Sequence, residues 1–283
     1  MTDTAAALLT ELIDHAGLFP PARLTMADAL AADGIARRSA SAALIGRFLC
    51  PASRLQELAD ALPGAGLPVG VVLDGDDPVA DAAGVREFVM AVAGRARVEL
   101  LEGQSAALVA AELADLLPVV SPFVELSWGA DWAGALSSLP VGVGAKLRCG
   151  GLTPDSFPPV DAVAAALIAC AATGTRLKAT AGLHRAVRQL DPADGEVHHG
   201  FLNLVTAAVM AHAAGLDADA LVPILADEDP SAFHLEDQHL RWRDLAATAD
   251  EVSEARRALF VSYGSCTLTE PVEDLQTLGI LPA

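Results

Sequence analysis

The sequence has 283 residues, of which 53% are hydrophobic, and its formal net charge at neutral pH is −19. This composition supports a sizeable buried core and excludes an intrinsically disordered chain. A surface with so much negative charge repels phosphate backbones and anionic headgroups. We therefore expect neither nucleic acid nor a membrane as a partner.

The compartment is inferred from the absence of targeting signals and from cysteine usage. Residues 1–11 lack the apolar run of a signal peptide, and the longest uncharged stretches, such as 162–175, are too short to span a bilayer. The four cysteines form no C-x-x-C pair, which favours reduced thiols. The sequence thus predicts a cytoplasmic protein.

Short apolar runs alternate with Ala/Leu-rich stretches along the chain. We predict strands at 12–19, 43–50, 69–74, 97–101, 123–127, 144–149, 176–181 and 259–264. We predict helices between them at 25–38, 52–62, 78–93, 105–117, 131–138 and 158–173. This alternation is typical of βαβ units with a parallel sheet, and eight such units close a (β/α)₈ barrel of the TIM type.

The long interval 186–257 interrupts the alternation, because it contains no convincing strand. Helices are predicted there at 201–214, 217–226 and 244–257. We interpret the interval as the seventh helix with a helical insertion, inside a single barrel domain that spans 1–283. The alternative places the eighth strand at 201–204, but the run Leu-Phe-Val-Ser-Tyr-Gly-Ser favours the later position, with a last helix at 272–278.

A doubly wound open sheet is the other fold that strand–helix alternation allows. Such sheets bind dinucleotides through a G-x-G-x-x-G turn, and the chain lacks this fingerprint. The barrel is therefore favoured, and no cofactor is expected.

Two lysines stand out, because the other basic residues among the 18 are all arginines. Lys146 lies in the sixth predicted strand and Lys178 in the seventh. Arginine can replace lysine where only a charge is needed, but not where a deprotonatable amine is needed. Alternation along a strand places Lys146 with Arg148, and Lys178 with Thr180, on common faces.

If these faces point into the barrel, the two amines lie on neighbouring strands about 4.8 Å apart. Burial and a nearby like charge each lower the pKa of a lysine, and a neutral amine can attack a carbonyl to form a Schiff base. The alternative is that each lysine binds an anionic substrate group or reaches solvent from a strand end.

The segment 145–185 resembles the last third of a class I aldolase barrel, most nearly deoxyribose-phosphate aldolase. In that family a strand-six lysine forms the Schiff base and a strand-seven lysine lowers its pKa. The resemblance implies these roles for Lys146 and Lys178. The run Tyr-Gly-Ser-Cys at 263–266 resembles the strand-eight turn of the family, which implies that Gly264 and Ser265 contribute to phosphate binding.

The chain also departs from this family. Ala-Thr-Ala-Gly-Leu-His follows Lys178, so no Gly-Gly pair comes directly after it, and the interval before the last strand is longer. Over its full length the chain also resembles a bacterial family without an established activity.

Further candidates come from the predicted strand ends, where barrel chemistry is located. Glu125 is the expected acid/base, because the fifth strand neighbours the sixth. Arg148 and Arg47 are candidate clamps for a carboxylate or phosphate. The remaining candidate substrate-binding residues are Asp14, His15, Glu99, Thr180, His184, Gly264 and Ser265.

A metal site is the rival chemistry. The seven histidines form neither H-x-H nor H-E-x-x-H. Cys50, Cys149 and Cys266 fall near predicted strand ends and offer thiols for a soft metal. Buried cysteine is more often a small hydrophobic residue, so no metal is expected.

These patterns predict a Schiff-base-forming lyase that acts on a small anionic carbonyl metabolite. One alternative is a non-covalent enolising isomerase on the same barrel. Another is a non-catalytic barrel that binds a small metabolite or a partner protein. The sequence leaves the substrate and the oligomeric state open, a homo-oligomer included.

Overall fold

The computed structural model describes residues 1–62, 64, 66–104, 120–151, 153–192 and 194–282. The barrel strands are β1 Ile13–His15, β2 Ile45–Pro51, β3 Leu67–Val72, β4 Ala96–Gly103, β5 Ser121–Leu126, β6 Gly144–Arg148, β7 Leu177–Thr180 and β13 Phe260–Ser265. These strands close into a parallel barrel in chain order, with β13 between β7 and β1. The predicted (β/α)₈ fold is confirmed.

Helices surround the barrel and mostly follow the predicted positions. They are α1 Asp3–Leu9, α2 Met26–Ala36, α3 Leu55–Ala61, α4 Pro78–Ala91, α5 Trp132–Ser137, α6 Val160–Thr173, α7 Phe201–Ala213, α8 Ala218–Ala226, α9 Ala249–Ala258 and α10 Thr269–Thr277. Side-chain caps explain several starts: Thr25 accepts a hydrogen bond from the Asp28 N–H, and Asp131 accepts one from the Gly134 N–H. The predicted helix 105–117 lies outside the described residues.

Strand alternation separates the barrel interior from the helix layer. On β6, Ala145 and Leu147 are buried in the same apolar cluster as Leu167 and Cys170 of α6. Lys146 stands between Ala145 and Leu147 in the chain, so its side chain points the other way, into the barrel.

The segment Pro154–Thr173 is, by length and composition alone, apolar enough to cross a membrane. This corrects the expectation that no stretch is long enough. A core helix of a globular protein passes the same test, and α6 buries Val163, Ala164 and Leu167 against the barrel.

The interval 186–257 is not purely helical, which corrects the prediction. It holds a hairpin of β8 Gln189–Leu190 with β9 Val197–His198, and an antiparallel sheet of β10 Phe233–Leu235, β11 His239–Trp242 and β12 Leu245–Thr248. The helix predicted from 244 begins at Ala249, because the residues before it pair with β11 and Thr248 forms a capping box with Glu251. The late eighth strand is confirmed, since Phe201 begins α7.

A buried amide fixes α7 to the neighbouring segments. Asn203 accepts from the Arg188 N–H at 2.9 Å and donates to the carbonyl oxygens of Ile224 and Asp227, each at 2.8 Å. Asn203→Ala should lower the free energy of unfolding by about 2–4 kcal/mol, because two buried carbonyl groups and a partly buried N–H lose their partner. Urea unfolding measures this, with exposed Gln56→Ala as the control. A loss below about 1 kcal/mol would contradict the assigned role.

Candidate active site

The two lysines face each other inside the barrel. Lys146 and Lys178 are register partners on β6 and β7, with only 5% and 0% of their surfaces exposed. Glu102 on β4 lies between them: its Oε2 is 2.7 Å from Lys146 Nζ and its Oε1 is 3.2 Å from Lys178 Nζ. The inward orientation predicted for both lysines is confirmed, and one buried carboxylate bridges them.

Lys146 has a second carboxylate partner, which lies closer to the protein surface. Its Nζ lies 3.0 Å from Oε2 of Glu125, its register partner on β5. Arg148 donates from Nε to Oε1 of the same carboxylate at 2.9 Å. Because the Arg148 side chain is 47% exposed, this row of contacts connects Lys146 with the carboxyl end of the barrel.

Lys178 is enclosed by a different set of partners. Its ammonium binds Asp14 Oδ2 and lies 3.2 Å from Ser262 Oγ, which itself donates to Asp14 Oδ2 at 2.6 Å. The other oxygen of Asp14 accepts the Arg47 backbone N–H at 2.7 Å. Asp14, Glu102, Glu125, Lys146 and Lys178 are called the lysine–carboxylate cluster below.

The charges of the cluster stabilise one another. Burial lowers the pKa of Lys146, but Glu102 and Glu125 more than offset this, so the pKa is raised. Burial raises the pKa of Glu102, but Lys146 and Lys178 outweigh it and bring the pKa to about 2. The expectation of a lowered lysine pKa is therefore wrong for Lys146 in this arrangement, because a carboxylate stands between the two amines.

Glu102 is the residue that sequence reasoning missed. The sequence predicts Glu99 as the site residue of this strand, which the structure corrects: the Glu99 carboxylate accepts hydrogen bonds from Arg47 Nε at 2.8 Å and from Arg97, and not from either lysine among the described residues. A register irregularity between Val98 and Leu100 breaks the alternation and aligns Glu102 with the interior. An acidic residue one position beyond the predicted strand end was the available signal.

His15 and Ser265 are register partners that face the helix layer. His15 Nδ1 lies 3.6 Å from Oδ1 of Asp33 on α2, and its ring packs edge-on against Phe48. Ser265 Oγ donates to the Thr267 carbonyl at 2.6 Å. Both were substrate-binding candidates, but they point away from the lysine–carboxylate cluster because they alternate with the inward-facing Asp14 and Gly264.

Thr180, Gly264 and His184 lie toward the carboxyl end of the barrel. Thr180 is the register partner of both Arg148 and Gly264, and a Cβ on that glycine would lie 3.3 Å from Thr180 Oγ1. His184 follows β7, with its Nδ1 3.3 Å from Glu270 Oε2, and burial lowers its pKa. These three remain candidates for substrate contact at the rim.

The three cysteines considered as ligands of a soft metal lie apart from one another. Cys50 and Cys149 are buried in separate apolar clusters, and Cys266 Sγ lies 3.9 Å from the ring nitrogens of His184. Within the described part of the chain, the group with metal-compatible spacing is Asp191, Asp194 and His198, which contains no thiol. The soft-metal alternative thus gains no support from these positions.

The fold and the cluster together define a (β/α)₈ barrel with an ion-paired lysine couple in its interior. No protein-family model, curated protein or solved structure matches the chain.

Proposed function

We propose that this barrel is a Schiff-base-forming lyase of the aldolase type, which acts on a small anionic carbonyl compound through Lys146. The observation that carries the proposal is the pair of buried amines on adjacent strands, joined by Glu102, in a chain with no other lysine. The resemblance of 145–185 to class I aldolases points the same way.

The choice of nucleophile rests on accessibility. Lys178 is fully buried among Asp14, Glu102 and Ser262, whereas Lys146 retains some exposure and contacts the half-buried Glu125. A carbonyl compound that enters from the carboxyl end would meet Lys146 first. Lys178 is then a positioning residue, because it holds one oxygen of Glu102 while the other oxygen contacts Lys146.

The covalent step begins with proton transfer, because Lys146 rests as an ammonium ion. Glu125 takes one proton, and the neutral amine forms an N–C bond with the substrate carbonyl carbon. Glu125 returns its proton to the carbonyl oxygen to give a carbinolamine, and loss of water leaves the protonated imine. Glu125 then removes the proton of the substrate hydroxyl β to the imine carbon, so that the C–O group becomes an aldehyde as the C–C bond breaks and the electron pair of that bond forms an enamine. The enamine regains a proton from Glu125, and water hydrolyses the imine to release the second product and free Lys146.

Arg148 suits the recognition of the anionic group. Its side chain is half-exposed, and it shares the Glu125 carboxylate with Lys146. A substrate carboxylate or phosphate can pair with this guanidinium in a bidentate fashion. This contact would free Glu125 to accept the lysine proton.

Trapping tests the proposal. The protein is incubated with a panel of small oxo-acids, aldehydes and sugar phosphates, reduced with borohydride, digested and mapped by mass spectrometry. We expect a secondary-amine adduct on the peptide that contains Lys146, and none with Lys146→Arg, because arginine forms no imine. An adduct found only on Lys178, or no adduct across the panel, would contradict the proposed nucleophile.

A second candidate follows from the raised pKa of Lys146. A lysine that stays charged next to Glu102 and Glu125 is suited to stabilise an enolate without a covalent bond, while a carboxylate moves the proton. This is the reaction of an enolising isomerase, which gives no borohydride adduct.

A further inference from the structure

A cleft of about 440 Å³ opens at the amino-terminal end of the barrel, opposite the end at which Arg148 lies exposed. Its position follows from its lining, since Glu11 precedes β1, Arg176 precedes β7 and Val261 stands near the start of β13. The lining residues are Ala6, Ala7, Thr10, Glu11, Arg47, Arg176, Ser253, Arg256, Arg257 and Val261. We call it the amino-terminal cleft.

The charge of this cleft is opposite to that of the protein. Four arginines line it against one acidic residue, Glu11, in a chain whose net charge is −19. Only 16 arginines occur in the sequence, so a quarter of them converge here. Such a concentration of like charge is unfavourable unless something of opposite charge balances it.

Among the residues that the structure describes, two of these guanidinium groups donate hydrogen bonds only to neutral groups. Arg176 donates to Ser121 Oγ at 3.2 Å and lies over the Phe123 ring, 5.6 Å from its centroid. Arg256 donates to the carbonyl oxygens of Phe260 and Val261, at 2.9 and 2.7 Å. Across the described ranges, no carboxylate oxygen forms a salt bridge with either group.

Partial burial of these two guanidinium groups therefore destabilises their charged forms. Burial lowers the pKa of Arg176, and it lowers the pKa of Arg256 to about 10. Desolvation is the cause for Arg176; for Arg256 the positive charge of Arg47 adds to it, and the charges of Asp14 and Glu11 offset only part of the effect. A bound anion would supply this counter-charge.

The other two arginines complete the lining. Arg47 is already balanced by Glu11 at 3.2 Å and by Glu99 at 2.8 Å. Arg257 is exposed at the end of α9. The cleft therefore offers Arg176 and Arg257 as groups with capacity for a new ligand.

We propose that the amino-terminal cleft binds a small oxyanion with two or more negative charges, carried by a phosphate group or by several carboxylates. Guanidinium groups bind both kinds of oxyanion through paired N–H donors. The volume suits a small metabolite. Because the cleft opens at the end opposite the exposed Arg148, this site is separate from that of the substrate and does not depend on the proposed lyase activity.

Calorimetric titration tests the site with two probes, pyrophosphate and citrate, at constant ionic strength adjusted with sodium chloride. We expect saturable binding of at least one probe with one site per chain, and the tighter probe identifies the kind of oxyanion. Arg176→Gln and Arg257→Gln should each weaken binding by about tenfold. Arg54→Gln is the matched control, because Arg54 follows the carboxyl end of β2 and pairs with Glu57 on the surface.

Two results would overturn the proposal. One is the absence of saturable binding for both probes. The other is binding that Arg257→Gln leaves unchanged, or that Arg54→Gln weakens as much. Arg257 is exposed, so its variant reports on the cleft even if Arg176→Gln fails to fold.

Discussion

Glu102→Gln should lower the free energy of unfolding by about 3 kcal/mol, because it removes the carboxylate that two buried ammonium groups share. Lys146 keeps Glu125 and Lys178 keeps Asp14, so each amine retains one partner while the central charge is lost. Urea unfolding at neutral pH measures the loss.

The lowered pKa of Glu102 predicts how the stability of the wild-type protein changes in acid. The folded pKa of Glu102 is about 2, below its ordinary value of 4.5. Its contribution to stability is therefore complete above pH 4.5 and is lost as the pH falls toward 2. The difference between the unfolded and folded pKa values corresponds to about 3 kcal/mol of unfolding free energy. Between these pH values the unfolding free energy should fall less steeply in Glu102→Gln than in the wild type.

Glu57→Gln is the matched control, because Glu57 pairs with Arg54 on the exposed surface of α3. We expect a change within about 0.5 kcal/mol. A double-mutant cycle of Glu102→Gln with Lys146→Met should give a coupling energy of about 1–3 kcal/mol. Equal effects of Glu102→Gln and Glu57→Gln would show that the cluster is not a stabilising ion-pair network.

Replacement of Lys146 by arginine separates the two candidate reactions. In the condensation direction the covalent reaction removes a proton from the carbon next to the imine, and the isomerase removes the corresponding proton next to a carbonyl, so exchange of that proton in deuterated water, followed by NMR, measures either one. The covalent reaction needs a nucleophilic amine. If this reaction operates, Lys146→Arg should exchange the proton at least about 10³-fold more slowly than the wild type. The non-covalent reaction needs only the positive charge, so the variant should keep activity within about tenfold.

Lys146→Met is the companion variant, because it removes both the amine and the charge. Exchange should be lost from it in either case. Thermal unfolding of both variants shows whether the barrel is intact. A folded Lys146→Arg protein that exchanges nearly as fast as the wild type would overturn the covalent proposal and favour the enolising isomerase.

Much of the barrel was predictable from local patterns. The alternation of apolar runs with Ala/Leu-rich stretches predicted the parallel barrel, and β-forming residues ending in glycine located the eighth strand. The insertion was less predictable, because the short strands β10, β11 and β12 are stabilised by their pairing with one another rather than by a strong individual signal.

The candidate site divides in the same way. Alternation along a strand was sufficient to place Lys146 and Lys178 on inward faces, since two adjacent parallel strands keep their register over a few residues. It was not sufficient to find Glu102, because a bulge in β4 shifts the alternation, nor to find Ser262, whose hydroxyl matters only through its distance from Asp14 and Lys178.

The sequence by itself determined that two unique amines occupy neighbouring strands of a barrel. Only the tertiary structure decided which carboxylates reach them, and hence that the pKa of Lys146 is raised. The charge state of a buried amine depends on the balance between desolvation and nearby charges, and these charges come from strands far apart in the chain. The arginine-lined cleft likewise exists only because folding brings together α1, α9 and the starts of several strands.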